Sequence, residues 1–169
     1  MQCSMQAIIA SWGDTMKRLL LYVWNFWPPF WGAGIKIDTI SKDYKYARTL
    51  LKRRPWTRNI VGTQFGGSIY AMVDPIYMVM LMMVLGRDYI VWDKAATIRF
   101  RKPGRTNLTA EFTLNDDEIN LIKEQLQKAD KYDWQKTVLV KDKSGEVIAE
   151  IHKTVHVRNK QLRFLKATN

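Results

Sequence analysis

The sequence predicts an α+β protein in which an antiparallel β-sheet wraps around one long central α-helix, and three observations carry that expectation. First, the stretch from about Gly66 to Leu85 opens on Gly66-Gly67-Ser68 and then becomes apolar on every side, with Met78, Met80, Met82 and Met83 in its second half. A helix apolar all round has to be enclosed by the rest of the chain. Second, the segments before and after it alternate apolar and polar residues with period two, the pattern of half-buried strands. Third, short Gly, Pro, Asp and Ser clusters separate those runs, which suits hairpin connections and an antiparallel sheet.

Taken in order, Trp12, Met16, Leu19, Leu20, Val23 and Trp27 fall on one helical face, and Pro28-Pro29 is expected to stop that helix. The apolar run Leu19 to Trp31 is shorter than the roughly 20 residues of a spanning helix and is interrupted by Asn25. We therefore expect neither a signal peptide nor a transmembrane segment here, and docking on the protein body is favoured over an interfacial membrane anchor. Ile35 and Ile37, then Tyr44 to Leu51, read as two strands joined at Ser41-Lys42-Asp43. A basic loop, Lys52 to Arg58, leads into the central helix, which Gly86 closes. Tyr89 to Lys102 and Leu108 to Leu114 are the next strands, joined at Pro103-Gly104. Asn115-Asp116-Asp117-Glu118 opens a short helix, with Asn115 or Asp116 as its cap and Asp130 to Asp133 as its end. Trp134 to Lys141 and Glu146 to Arg158 complete the sheet, turning at Ser144-Gly145. The expected organisation is an N-terminal helix and Trp/Pro-rich connection over residues 1–33, one domain over 34–158, and a basic tail over 159–169.

The charge is +11, from 27 basic and 16 acidic residues. Such a surplus favours an anionic partner: a nucleotide-bearing cofactor ester, an acidic carrier protein, acidic lipid or nucleic acid. Nucleic acid is the weakest of these, because no helix-turn-helix, zinc or stacking-aromatic signature accompanies the charge. Cys3 is the single cysteine, so no internal disulfide can form and a cytoplasmic, reducing setting is the simplest expectation. His152 and His156 are the only histidines, and two of them without a third ligand make no metal site, so no metal and no cofactor are expected.

Asp74 stands out chemically: a carboxylate inside an apolar helix must be paired, capped or used. Because Pro75 follows it, Asp74 can also cap the second half of a broken helix. Both readings stay open. The string Asn59-x-x-Gly62-Thr63-x-Phe65-Gly66-Gly67, with Asp74 eight residues after Gly66, resembles the signature of hotdog-fold acyl-CoA thioesterases. Asn25-x-Trp27-Pro28-Pro29, Gly32-x-Gly34-Ile35, Asp74-Pro75 and Val91-Trp92-Asp93-Lys94-Ala95-Ala96 resemble one branch of that superfamily known only as a domain of unknown function. The resemblance spans about residues 20–158.

That resemblance implies a hotdog fold and a homodimer or homotetramer. It implies a thioester of coenzyme A or of an acyl-carrier protein as substrate. It also assigns roles: the Gly67 N–H polarises the thioester carbonyl, Asp74 is base or nucleophile, supplied across the subunit interface, and Asn59 positions substrate or water. Thr63, Phe65 and Gly66 would line the substrate site. The related thioesterases carry His where this chain has Phe65, and Phe donates no hydrogen bond. A non-catalytic acyl-thioester or fatty-acyl binding protein is thus the alternative, and a basic peripheral membrane or nucleic-acid-associated protein is a third reading. Arg99, Arg101, Lys102 and Arg105 cluster around one turn, where they are solvated or dock the phosphates of coenzyme A or an acidic carrier. Asp93 and Lys94, adjacent in mid-strand, are expected to pair with each other.

Overall fold

The structure is a computed structural model and describes residue 19 and residues 22–160. Most of the amphipathic helix expected around Trp12 to Trp27, Cys3, and the end of the basic tail lie outside the described residues. A 3₁₀ turn at Trp24–Phe26 precedes helix α1, Pro28–Ala33. The two prolines therefore begin a new helix as well as ending the preceding one: their missing N–H groups fall where a helix needs none, at its first turn.

Six strands follow: β1 (Ile35–Ile40), β2 (Tyr46–Leu51), β3 (Tyr89–Phe100), β4 (Leu108–Thr113), β5 (Lys131–Asp142) and β6 (Val147–Asn159). They form one antiparallel sheet in the order β1-β2-β4-β5-β6-β3. Strands β1 and β3 are its two edges. Between β2 and β3 the chain makes α2 (Gly66–Ala71) and α3 (Ile76–Leu85), and α4 (Asp116–Lys128) lies between β4 and β5. A reciprocal capping box fixes the start of α4. Asn115 Oδ1 accepts from the Glu118 N–H at 2.7 Å, and the Glu118 carboxylate accepts from the Asn115 N–H at 3.1 Å. Lys131 to Asp133 belong to β5, not to the end of α4 as the sequence suggested.

The expected long central helix is present but broken. Pro75 has no N–H, so the Ala71 carbonyl loses its helical partner and four residues of turn separate α2 from α3. The sheet supplies partners for carbonyls freed there. Buried Thr49 of β2 donates to the Met72 carbonyl at 3.1 Å, and Lys153 of β6 donates to the Asp74 carbonyl at 2.8 Å. On α3, Ile76, Tyr77, Val79, Met80, Leu81 and Leu85 are all buried. Each such side chain contributes about 1.5–3 kcal/mol of transfer free energy. By length and composition the 20-residue stretch Gly66–Leu85 could cross a membrane, but more than half of its most apolar window is buried inside the fold, so core packing accounts for its composition.

Two irregularities bear on function. Strands β4 and β5 pair only over Leu108 to Ala110. Beyond that point the Tyr77 hydroxyl reaches both the N–H and the carbonyl of Thr113 at 3.4 Å, while its ring packs edge-on against Phe112 and Trp134. Burial pushes the Tyr77 hydroxyl up to about 12. The second irregularity is a bulge between Asp93 and Ala95. Asp93, before the bulge, shares its face with buried Val91, and past the bulge Ala95, Ala96 and Thr97 run exposed along the sheet edge.

Candidate functional site

The polar turn before α2 is built by its own side chains. Asn59 Oδ1 accepts from the N–H groups of Val61 (3.2 Å) and Thr63 (3.0 Å), and its amide nitrogen donates to Thr63 Oγ1 at 2.9 Å. Gly62, at φ 77°, supplies the left-handed residue this turn requires. The Gln64 N–H then donates to the Gly104 carbonyl at 2.8 Å, joining the turn to the loop after β3. The result is a groove of about 530 Å³ that brings together Asn59, Thr63, Gly66, Arg101, Lys102 and Arg105. Six of the residues expected at the site therefore share one surface, whereas Phe65, Gly67, Asp74 and Arg99 do not line it. Arg101 pairs with Glu150 at 2.5 Å and Lys102 with Glu146. Among the described residues, Arg105 has no acidic partner. Asn59 faces this groove with its amide engaged by the turn, so its present role is to shape the wall.

Two rings guard the Gly pair. A Cβ on Gly66 would lie 2.9 Å from the Phe100 ring, and a Cβ on Gly67 would lie 2.4 Å from the Phe65 ring. Both rings are about half exposed (55% each), so each has room to move. With only six residues before the break, α2 offers its unpaired first-turn N–H groups rather than a long dipole.

Asp74 sits in the break itself. Its side chain is 43% exposed and borders a second groove of about 520 Å³, with Pro75, Met78, Ile90, Trp92, Asp93 and Arg158. The α3 start carries no side-chain cap, so the capping role considered for Asp74 is not realised. Instead Asp74 Oδ1 accepts from the Tyr70 hydroxyl at 2.6 Å and from the Lys153 ammonium at 3.1 Å. Among the described residues, Oδ2 accepts no hydrogen bond. Lys153 is fully buried, and its Nζ also lies 2.8 Å from Asp93 Oδ1, an ion pair that lacks the alignment of a good hydrogen bond. Burial raises the Asp93 carboxyl above its ordinary range; Lys153 pulls it back, and the Asp74 charge adds to the rise. Burial first, and then the bond to Asp74, raise the Tyr70 hydroxyl as well.

The expected Asp93–Lys94 pair does not form, because neighbouring strand residues point to opposite faces. Asp93 meets Lys153 inside, and Lys94 meets Asp133 at 2.5 Å outside. His156 also binds Asp133 while stacking on Trp92, with ring centroids 4.2 Å apart, and His152 accepts or donates a bond with Thr137 at 2.8 Å. Among the described residues no group of three or more His, Cys, Asp or Glu side chains is placed to hold a metal ion. Sequence reasoning missed Tyr70 and Lys153. The signal for Lys153 was present: it occupies the inward position in the series Ile151, Lys153, Val155, Val157.

Among the described residues, Asp74 and Gly66 line two different depressions. Comparison with known proteins supplies the context. The family described as "Domain of unknown function (DUF4442)" matches residues 16–157. No curated protein matches. Among solved structures, a Pseudomonas aeruginosa protein of unknown function, with the added description "Probable Thioesterase", superposes with a TM-score of 0.75 at 17% identity, covering 84% of this chain and 95% of that one. A thioesterase from Haemophilus influenzae gives a TM-score of 0.58 at 16% identity, with 78% and 83% covered. A thioesterase variant from Pseudomonas aeruginosa gives 0.61 at 11% identity, with 83% and 92% covered. At these identities the likeness establishes the fold, which is the hotdog fold.

Proposed function

We propose that this chain, which belongs to the DUF4442 family, hydrolyses thioesters of coenzyme A or of an acyl-carrier protein. The observation that carries the reading is Asp74: a half-exposed carboxylate with one oxygen held and the other open, at the edge of a groove lined by Met78, Ile90 and Trp92. As a base, Asp74 takes a proton from water while the water oxygen bonds to the thioester carbon. The Gly67 N–H donates to the resulting oxyanion. When the intermediate collapses, the C–S bond breaks, the proton passes to the sulfur, and a carboxylic acid and a thiol are released. Direct attack by Asp74 followed by hydrolysis gives the same products. The basic groove with Arg101, Lys102 and Arg105 suits the phosphates of coenzyme A or an acidic carrier.

The separation of Asp74 from the Gly66 groove supports a site shared between two copies of the chain. So does the edge strand β3, whose Ala95 to Thr97 are exposed. Sedimentation as a single chain at working concentration would remove this part of the reading.

The Phe65 ring lying on Gly67 favours a second reading, in which the site binds an acyl thioester without cleaving it. Incubation with acyl-CoAs from short to long and aromatic, followed for both binding and thiol release, separates the two. Turnover supports the hydrolase, whereas stoichiometric binding with no thiol supports the binding protein.

A further inference from the structure

We infer that Lys153 is a positioning residue for Asp74: together with Tyr70 it immobilises Oδ1, so that Oδ2 alone is presented to the groove. The inference rests on the role given to Asp74 above. Lysine is rarely fully buried, and a buried ammonium needs oxygen partners. Here its Nζ finds three, the Asp74 carbonyl at 2.8 Å, Asp74 Oδ1 at 3.1 Å and Asp93 Oδ1 at 2.8 Å, with the Tyr70 ring 5.5 Å away. Because Lys153 holds both the backbone oxygen and the side-chain oxygen of one residue, it fixes that residue's rotamer. The Tyr70 hydroxyl, 2.6 Å from the same Oδ1, comes from the turn of helix before the break. The carboxylate is thus clamped from α2 and from β6, at the break between α2 and α3. Asp93 serves as the counter-charge that keeps Lys153 in place. A group whose only task was to fill this space would be apolar, since a hydrophobic side chain of similar volume is usually at least as stabilising as a buried ion pair.

The test compares the wild type with Lys153→Met and with Lys153→Met/Asp93→Asn. The double variant removes the cation and one carboxylate together, so it leaves no excess buried charge and keeps the fold testable. We expect it to melt close to the wild type and to keep KM within about twofold, while kcat falls about 100-fold because the reacting oxygen is no longer aimed. Recovery of kcat along with melting temperature would show a purely structural role and overturn the inference. If the wild type itself releases no thiol from any acyl-CoA, the functional reading fails separately. Crystal structures of both proteins then decide on Lys153: a turned or disordered Asp74 carboxylate in the double variant supports positioning, and an unchanged one overturns it.

Discussion

Gly67→Ala asks whether the amide of the Gly pair is guarded by a movable ring. The added methyl would lie 2.4 Å from Phe65 Cε1, 2.9 Å from Cζ and 3.2 Å from Cδ1, so the ring has to move. It has somewhere to go, because Phe65 is 55% exposed and makes its close approach through the far edge of a side chain. The backbone raises no objection: Gly67 is not among the residues at positive φ, and alanine is favoured over glycine within a helix by about 0.5–1 kcal/mol. Loss of the ring's contact with Gly67 costs a similar amount, about 1 kcal/mol for part of a half-exposed aromatic side chain. The two nearly cancel. We therefore expect thermal unfolding to change by no more than about 3 °C in either direction for a domain of this size. Acyl-CoA affinity should change measurably, because the displaced ring moves relative to the mouth of the groove. Scanning calorimetry and a binding titration read the two effects, and in a Phe65→Ala background Gly67→Ala should leave affinity unchanged and show only the helix-propensity gain. A loss of 10 °C or more would mean that Phe65 is locked in place and would refute the reasoning.

Three further outcomes are expected. Gly34 adopts φ 77°, and a Cβ there would meet the Lys52 carbonyl and the Thr57 methyl at 2.9 Å each, so Gly34→Ala should lose about 2 kcal/mol or more; unchanged denaturant midpoints would contradict this. Arg105→Ala should raise KM for an acyl-CoA roughly fivefold at low salt, less at high salt, and leave a small thioester without phosphates unaffected; equal effects on both substrates would exclude phosphate docking. Asp93, raised by burial, binds its proton more tightly in the folded chain than in the unfolded one, whose carboxyl titrates near 3.8. Its contribution to stability is therefore full below that pH and is lost as pH rises through the folded value. The stability of Asp93→Asn relative to wild type should accordingly improve as pH rises above about 3.8, and a difference that is flat or falls with pH would be inconsistent with burial as the cause.

Period-two alternation and the all-round apolar helix made the sheet and its central element legible, because both patterns follow directly from which side chains must leave water. The Asp74-Pro75 break was legible too, since proline removes a helical donor whatever surrounds it. What could not be read was where the freed groups would find partners. Lys153 meets Asp74 only once β6 has folded against the helix break, and Asp93, on the same strand face as buried Val91, was legible as inward-facing but not as the partner of Lys153. Tyr70, four residues before Asp74, is a local partner that helical spacing could have indicated. Asn59 was legible as a turn former and as a groove residue, but its amide is occupied by that turn. Asp74 and Gly66 were read as one motif, eight residues apart, yet they line two different depressions among the described residues.

The most direct measurement is steady-state thiol release by the wild type and by Asp74→Asn, with circular dichroism confirming that both are folded. The variant keeps Lys153 paired with Asp93, so its fold should survive. The account predicts turnover of at least one acyl-CoA by the wild type and a kcat lower by about 10²–10⁴-fold in the variant. Equal turnover by the two proteins would contradict it.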